Sequence, residues 1–219
     1  MLRSLQRQDV ADWEAVVVDD GDGEAIELVA RIADPRISGR PNEGRGPADA
    51  RITAIAAAAG DLIAWLDDDD WWDDPHHLAL LREAALVRQS SFFFRGGWIV
   101  DAAGARETYD LDATAASLRE NNTVLTSSIA YPRRLHDELG PLDATLGGYC
   151  DWDFMLRMCD AGVVPYRLPG LGIAYAMHSS NASTAYDAPE RLASFERFRD
   201  KHGLDAQIAN HVLIHRMLS

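Results

Sequence analysis

Leu62-Ile63-Ala64-Trp65-Leu66-Asp67-Asp68-Asp69-Asp70 is the stretch on which the fold turns. Five apolar residues bounded by Gly60 and by aspartates predict a short buried strand that delivers carboxylates at its end. A second run of the same kind, Ala15-Val16-Val17-Val18, leads into Asp19-Asp20-Gly21-Asp22-Gly23. A β-branched run apolar on both faces reads as a buried, parallel strand. Open parallel sheets bind ligands beyond the carboxyl ends of their strands, and both of these strands end in aspartates.

Between and after the two strands the apolar spacing becomes helical. Glu24 to Ile32 carries Ile26, Val29 and Ala30 on one side; Pro47 to Ala59 repeats Ile52, Ile55, Ala56 and Ala59, with Pro47 in the first turn and Gly60 closing it. Ser38 to Pro47 reads as a Gly/Pro-rich loop. Asp74-Pro75 starts a third helix, to about Gln89. Strand, helix, helix, strand, helix is an α/β pattern with a mostly parallel sheet flanked by helices. The second half is less regular. Phe92-Phe94, Trp98-Val100, Val124-Tyr131, Val163-Tyr166 and Ile173-Met177 read as strands, and Asp101-Gly104 as a turn. Asp151-Ala161, Ala188-His202 and the tail from Leu204 read as helices.

With 219 residues the chain has room for one sizeable core and is expected to be one domain. Its expected parts are a nucleotide-binding half (about 1–90), an acceptor-binding half (about 91–185) and C-terminal helices (186–219). A net charge of -14 argues against a nucleic-acid partner. No apolar run approaches the roughly 20 residues of a membrane span. The first residues lack the apolar core of a signal peptide. Cys150 and Cys159 are too few for a disulfide framework and read as reduced, structural thiols of a cytoplasmic protein. A place at the inner membrane face is the alternative location.

Asp67 to Asp74 packs six carboxylates into eight residues. Such crowding costs free energy by repulsion unless a cation offsets it. Mg²⁺ and Mn²⁺ take carboxylate and phosphate oxygens, so the run suits a divalent cation and a phosphorylated ligand. Asp73 and Asp74 lie where helix-capping carboxylates belong, ahead of Pro75. Arg40, Arg45 and Arg51, on a glycine-rich loop and the helix after it, suit phosphate or form surface ion pairs. Trp65 reads as core, and Trp71 or Trp72 as a candidate to stack on a sugar. Asn181-Ala182-Ser183 has the spacing of a glycosylation sequon.

These motifs together resemble a family 2 glycosyltransferase with the GT-A fold. The family's VVVDDGS appears as Val16-Val17-Val18-Asp19-Asp20-Gly21-Asp22. Its longer segment ending in FLDADD appears as Asn42-Glu43-Gly44 through Ala50-Arg51-Ile52 to Gly60 and on to Asp70. Its G.EDWDLWLRL appears as Gly148-Tyr149-Cys150-Asp151-Trp152-Asp153-Phe154-Met155-Leu156-Arg157-Met158. The resemblance implies an inverting, metal-dependent enzyme that moves a sugar from a nucleoside-diphosphate sugar, a UDP-sugar favoured, to a hydroxyl of a glycan or lipid-linked acceptor. By position it gives Asp19 or Asp20 to the nucleobase and Arg51 to the diphosphate. Asp67 and Asp69 become the DxD pair, on ribose or metal and on metal (Mn²⁺ or Mg²⁺), while Asp151 becomes the general base. His178, in Met177-His178-Ser179-Ser180-Asn181, becomes a further metal or diphosphate contact. Asp153 reads as structural, Asp68 as a spacer and Asp70 as a brace for the loop.

Three departures stand out. Ile52 occupies a position where the family has asparagine, and Cys150 one where it has glutamate. The family also opens with a strand resembling VSVIIPTYNR, whereas Leu2-Arg3-Ser4-Leu5 reads as part of the helix after it. Loss of that strand would leave two neighbours with unpaired backbone groups. An upstream start, replacement by Val212-Leu213-Ile214 or by a second copy in a homodimer, and an inactive, partner-dependent nucleotide-sugar-binding remnant are the open alternatives.

Overall fold

The computed structural model describes residues 1–178 and 188–218. The α/β expectation holds. The strands are β1 (Ala15–Asp19), β2 (Ile37–Pro41), β3 (Leu62–Ala64), β4 (Trp71–Trp72), β5 (Ser91–Val100), β6 (Arg106–Tyr109), β7 (Ala130–Pro132) and β8 (Val164–Ala176). The main helices are α1 (Leu2–Gln6), α2 (Glu24–Ile32), α3 (Gly46–Ala57), α4 (His77–Val87), α5 (Arg133–Leu139), α6 (Cys150–Asp160), α7 (Pro189–His202) and α8 (His211–Leu218). None of the described helices is long and apolar enough to cross a membrane.

The strands form two sheets. β1 and β2 pair with each other alone, in parallel. The other six follow the order β3-β7-β5-β8-β4, with β6 on β5. The two longest ladders, β1–β2 and β5–β8, are parallel, while the shorter pairings are antiparallel. The sheet is therefore mixed rather than simply parallel.

β5 is the centre of the larger sheet, and Phe92, Phe93 and Phe94 are sealed from solvent. Its register against β8 shifts between Phe94 and Gly97, and Arg95 occupies the irregularity. There its side chain reaches Asp74 at 2.8 Å and the carbonyl of Pro169 at 3.0 Å. A Cβ at Gly97 would lie 2.1 Å from the carbonyl oxygen of Ile173, so only glycine allows the two backbones this approach. On one face Phe92 and Phe94 pack with Tyr131, Phe154 of α6 and Phe198 of α7. Asp153, fully buried, ties α6 to α7 by accepting from Arg157 (2.9 Å), Lys201 (2.8 Å) and His202 (2.8 Å), the structural role expected of it.

Several sequence expectations need correction. The loop Ser38–Pro47 contains most of β2, which forms because β1 offers it a ladder and α2 packs against Gly39. The helix expected to close at Gly60 ends at Ala57, with Ala58 already extended. Phe92–Phe94 and Trp98–Val100 are one strand, as are Val163–Tyr166 and Ile173–Met177. Val124–Tyr131 is strand only at its end, because Thr126–Ser128 form a turn of 3₁₀ helix. Val212-Leu213-Ile214 fills no strand position. It lies in α8, where Val212 joins the cluster around Tyr109 and Leu125.

The expected buried state of β1 is also wrong. Val16, Val17 and Val18 are each half-exposed, as are Leu62 and Ala64 at the edges of β3. A cavity of about 1090 Å³, lined by both strands, separates the two sheets.

Candidate active site

α3 spans the two sheets along the cavity. Its first residue, Gly46, donates its N–H to Asp20 Oδ2 at 2.8 Å, beyond the end of β1. One turn on, Arg51 Nη2 donates to Asp67 Oδ1 at 2.6 Å, beyond the end of β3. Just past its last turn, the amides of Ala59 and Gly60 both donate to Glu14 Oε1, ahead of β1. The carboxyl ends of β1 and β3 therefore lie toward the same end of α3, and the aspartates that follow them share that end.

The two aspartates after Val18 have separate tasks. Asp19 is spent on its own turn, accepting from the amides of Gly21 (2.9 Å), Gly23 (3.2 Å) and Ala25 (2.8 Å). Those amides, Gly21 first, hold its carboxyl below the usual range against the opposing effect of burial. Asp20 is exposed and is oriented by Asn42 (2.6 Å) and Gly46. Of the pair, Asp20 is the one left exposed.

In the acidic run, the four residues also differ. Asp67 pairs with Arg51, whose guanidinium lies 5.5 Å from the centroid of Trp65. Burial opposes charge on Arg51, but Asp67, with Cys150 and Asp151 behind it, outweighs that and holds its pKa above the ordinary value. Asp68 is exposed. Asp69 Oδ2 lies 2.9 Å from His178 Nε2. Asp70 is buried; it accepts from Ser127 Oγ at 2.5 Å and from the amide of Ala176 at 2.8 Å. Burial, reinforced by the charges of Asp67 and Asp69, pushes its pKa up to about 7. Ser127 also accepts from the amide of Asp67, so one hydroxyl clamps both ends of the run, with Asp70 as the expected brace.

Asp151 stands in the first turn of α6 and is almost fully buried. Its Oδ2 accepts from Thr126 Oγ1 at 2.7 Å, and its Oδ1 from the amide of Trp152 at 2.7 Å. Arg51 Nη1 reaches Cys150 Sγ at 3.8 Å, which ties the start of α6 to α3. The thiol of Cys150 is pushed up to about 11 by burial, as befits a structural residue; both cysteines are free. Next to this group, His211 of α8 lies 2.9 Å from the carbonyl of Val124 and meets Tyr109 and Tyr175 edge-on.

Asp20, Arg51, Asp67, Asp69, Asp151 and His178 thus occupy connected positions, and Thr126, Ser127 and His211 join them unannounced by any local motif. Trp72 is unavailable for stacking on a ligand, since it is buried with its Nε1 bound to the carbonyl of Ser127. Trp71 is half-exposed and donates to Asp73 at 3.1 Å. Trp65 is core, as expected. Asp74 accepts from the amide of His76 at 2.9 Å, ahead of α4, while Asp73 is held by Arg106 at 2.7 Å. Ser179-Ser180-Asn181 and the sequon Asn181-Ala182-Ser183 lie outside the described residues.

Asp69 and His178 fit a divalent cation. Adjacent ligands of an octahedral ion with bonds of about 2.1 Å stand about 3 Å apart, and the two side chains face each other at 2.9 Å. Carboxylate oxygens suit Mn²⁺ or Mg²⁺, whereas imidazole is the softer ligand of the pair. Among the described residues no group of three acidic, histidine or cysteine side chains is assembled as a cage.

Comparison with known proteins points the same way. The sequence pattern described as Glycosyl transferase family 2 matches residues 1–91. An uncharacterized glycosyltransferase of Bacillus subtilis, YwdF, is 33% identical over 101 residues, 46% of this chain and 37% of that protein. S. aureus TarS (residues 1–349, in complex with UDP-GlcNAc) superposes with a TM-score of 0.70 at 16% identity, over 94% of this chain and 63% of that one. GalNAc-T7, solved with UDP, GalNAc and Mn²⁺, gives 0.66 at 15% identity, over 91% and 44%. The chain spans little more than a third of its curated relative and less than two thirds of these two solved neighbours. Residues 1–91 thus match glycosyl transferase family 2, and the fold is the GT-A fold of those solved neighbours.

Proposed function

We propose that the chain is an inverting glycosyltransferase that moves a sugar from a nucleoside-diphosphate sugar to an acceptor hydroxyl. The observation that carries this reading is the cluster of Arg51, Asp67 and Asp151, with Asp69 on the same acidic run and Asp20 exposed beyond the end of β1. UDP is the favoured nucleotide, since two neighbours of the fold were solved with UDP or UDP-GlcNAc. The acceptor is a glycan or a lipid-linked sugar, and the expected location is cytoplasmic.

Asp20, exposed and braced by Asn42 and Gly46, is placed to accept from the nucleobase. Arg51, held charged by Asp67, offsets negative charge on the diphosphate. Asp69, His178 and Asp67 are the residues to hold a divalent cation, which when bound neutralises the leaving nucleoside diphosphate. Asp151 takes the proton of the acceptor hydroxyl as its oxygen bonds the anomeric carbon. The bond from that carbon to the diphosphate oxygen breaks on the opposite face, and its electron pair leaves with the nucleotide. A single displacement of this kind inverts the anomeric centre. Thr126, donating to Asp151, sets the orientation of the base.

Calorimetry with UDP, with and without Mn²⁺, tests donor binding. Asp69→Asn should abolish the metal-dependent part of the affinity; binding as tight as wild type would remove Asp69 from the metal. Asp151→Asn should lower transfer by 10²-fold or more with donor binding intact. Full transfer by that variant would end the general-base assignment.

A further inference from the structure

Residues 123–128 touch both parts of the carboxylate cluster. Ser127 Oγ donates to Asp70 at 2.5 Å and accepts from the amide of Asp67, while Thr126 Oγ1 donates to Asp151 at 2.7 Å. All of these residues except Thr126 are buried, and none lies in a strand. Their peptide carbonyls must therefore find partners outside a ladder. Side chains from distant elements supply them. Tyr109 Oη donates to the carbonyl of Thr123 at 3.1 Å and Trp72 Nε1 to that of Ser127 at 2.9 Å, both from the larger sheet. His211 Nε2 donates to the carbonyl of Val124 at 2.9 Å and comes from α8, 87 residues on.

α8 holds that imidazole in place. Asn210, buried just ahead of the helix, caps it by accepting from the amide of Leu213 at 2.9 Å. His211 thus opens the helix, its ring edge-on to Tyr109 and to Tyr175, with centroids 5.8 Å away in each case. One turn on, His215 meets Tyr109 at 5.6 Å and Glu107 at 3.2 Å, and Val212 joins the cluster of Leu125 and Tyr109. A carbonyl can only accept, so Nε2 of His211 carries the proton. Burial lowers the pKa of the ring, against the opposing pull of Asp151, the Val124 carbonyl and Asp67. The imidazole is neutral at pH 7 and keeps its donor on the carbonyl.

We propose that His211 is a positioning residue for the base: by holding the Val124 carbonyl it fixes the turn that presents Thr126, and through Thr126 the orientation of Asp151. Its effect on turnover rests on the sugar-transfer reading; the placement of the turn does not. The link is short and stiff. Val124 and Thr126 stand two residues apart, and the turn after them is closed by the amides of Ser128 and Ile129 on the carbonyls of Leu125 and Thr126, at 2.9 and 3.1 Å. Without its donor the buried Val124 carbonyl has to shift to another partner, and the peptide that shifts leads directly to Thr126. A displacement of about 1 Å near the reacting groups lowers a rate by about 10²-fold. Ser127 keeps its own anchor on Trp72, so the acidic run and the nucleotide contacts are spared.

Two variants separate the hydrogen bond from the packing. His211→Phe keeps a ring between Tyr109 and Tyr175 and removes the donor, whereas His211→Gln places an amide N–H near the position of Nε2. Turnover is read as UDP released from UDP-GlcNAc in Mn²⁺ with water as the acceptor. The water oxygen bonds the anomeric carbon, its proton goes to Asp151, and UDP leaves with the electron pair of the broken bond. UDP affinity is measured by calorimetry, and hydrogen exchange is followed at the amides of Ser128 and Ile129. The expected result for His211→Phe is kcat at least tenfold lower, KM and UDP affinity within twofold of wild type, and exchange at both amides at least tenfold faster. His211→Gln should stay within threefold of wild type in every readout. Thr126→Val combined with His211→Phe should be no slower than Thr126→Val alone, as for two residues acting through one contact. Full turnover in His211→Phe, equal losses in both variants, or losses that multiply with that of Thr126→Val overturn the proposal. If His211→Phe does not fold, His211→Asn, whose amide falls short of the carbonyl, replaces it in each comparison. Where wild type releases no UDP, the exchange rates decide: faster in His211→Phe alone upholds the placement of the turn, and unchanged overturns it. Absence of UDP binding as well removes the sugar-transfer reading.

Discussion

β5 and β1 are written in the same chemical language and end in different surroundings. Ser91-Phe92-Phe93-Phe94 and Ala15-Val16-Val17-Val18 are both short apolar runs, yet the first is buried throughout and the second is half-exposed. β5 has neighbours on both edges and helices against it, whereas β1 has one neighbour and a cavity. Apolar composition states what a strand can bury; the elements beside it decide what it does bury. The larger sheet therefore carries most of the sealed core, and the smaller one carries Asp20, the residue proposed to meet the nucleobase.

The largest effect expected from this contrast is in the core. Phe94, 2% exposed between Phe92 and the α6–α7 layer, leaves a large void when cut to alanine. Phe94→Ala should cost about 3–5 kcal/mol, read as a lower urea midpoint with an unchanged slope. A cost below about 1 kcal/mol would mean that the sheet around β5 is not the packed half.

How much of this was legible in the sequence follows the same division. α2 runs over Glu24–Ile32 and α7 ends at His202, as read, because amphipathic spacing and the glycine at position 203 are local signals. β2 was hidden because Ile37-Ser38-Gly39-Arg40-Pro41 lacks strand composition and becomes a strand only through its ladder with β1. β5 and β8 were each read as two strands, since Gly96-Gly97 and Pro169-Gly170 look like breaks. Their close approach uses those glycines instead. At the site, the carboxylates stood out by crowding. Thr126 and Ser127 did not, since a hydroxyl acquires its role from an aspartate 25 or 57 residues away. The division of labour between Asp19 and Asp20 likewise depends on which of them the turn consumes, and no spacing rule states that.

The better packed half also contains a polar group with no compensation, which sharpens the comparison at intermediate scale. His77 in the first turn of α4 is wholly buried, its ring 4.6 Å from that of Trp72, and neither ring nitrogen has a hydrogen-bond partner. Burial first, and the charge of Arg95 second, lower its pKa to about 3. The folded state thus keeps His77 neutral over a range in which the unfolded chain, titrating near 6.5, takes up a proton. This contribution is complete above pH 6.5 and is lost as the pH falls from there toward 3. His77→Phe keeps the ring contact and removes both the unpaired nitrogens and the titration. It should stabilise the protein by about 1–3 kcal/mol and flatten the fall in stability between pH 6.5 and 4. An unchanged acid limb in the variant would place the proton uptake on other groups.

The smallest effect is the most telling, because it concerns β1 itself. Val17 is central in that strand and is half-exposed beside the cavity. Val17→Thr keeps the β-branched shape and adds a hydroxyl that the open cavity can hydrate. In the chain alone the change should cost less than about 0.5 kcal/mol, as at a surface position. A thermal midpoint moved by no more than a degree or two reads it. At a site packed on both sides the same hydroxyl would be desolvated and would cost about 1–3 kcal/mol. The measured cost therefore reports how closed the space beside β1 is. A penalty already near 2 kcal/mol in the free protein would show that β1 is as enclosed as β5, and the contrast between the two sheets would fail at its central residue.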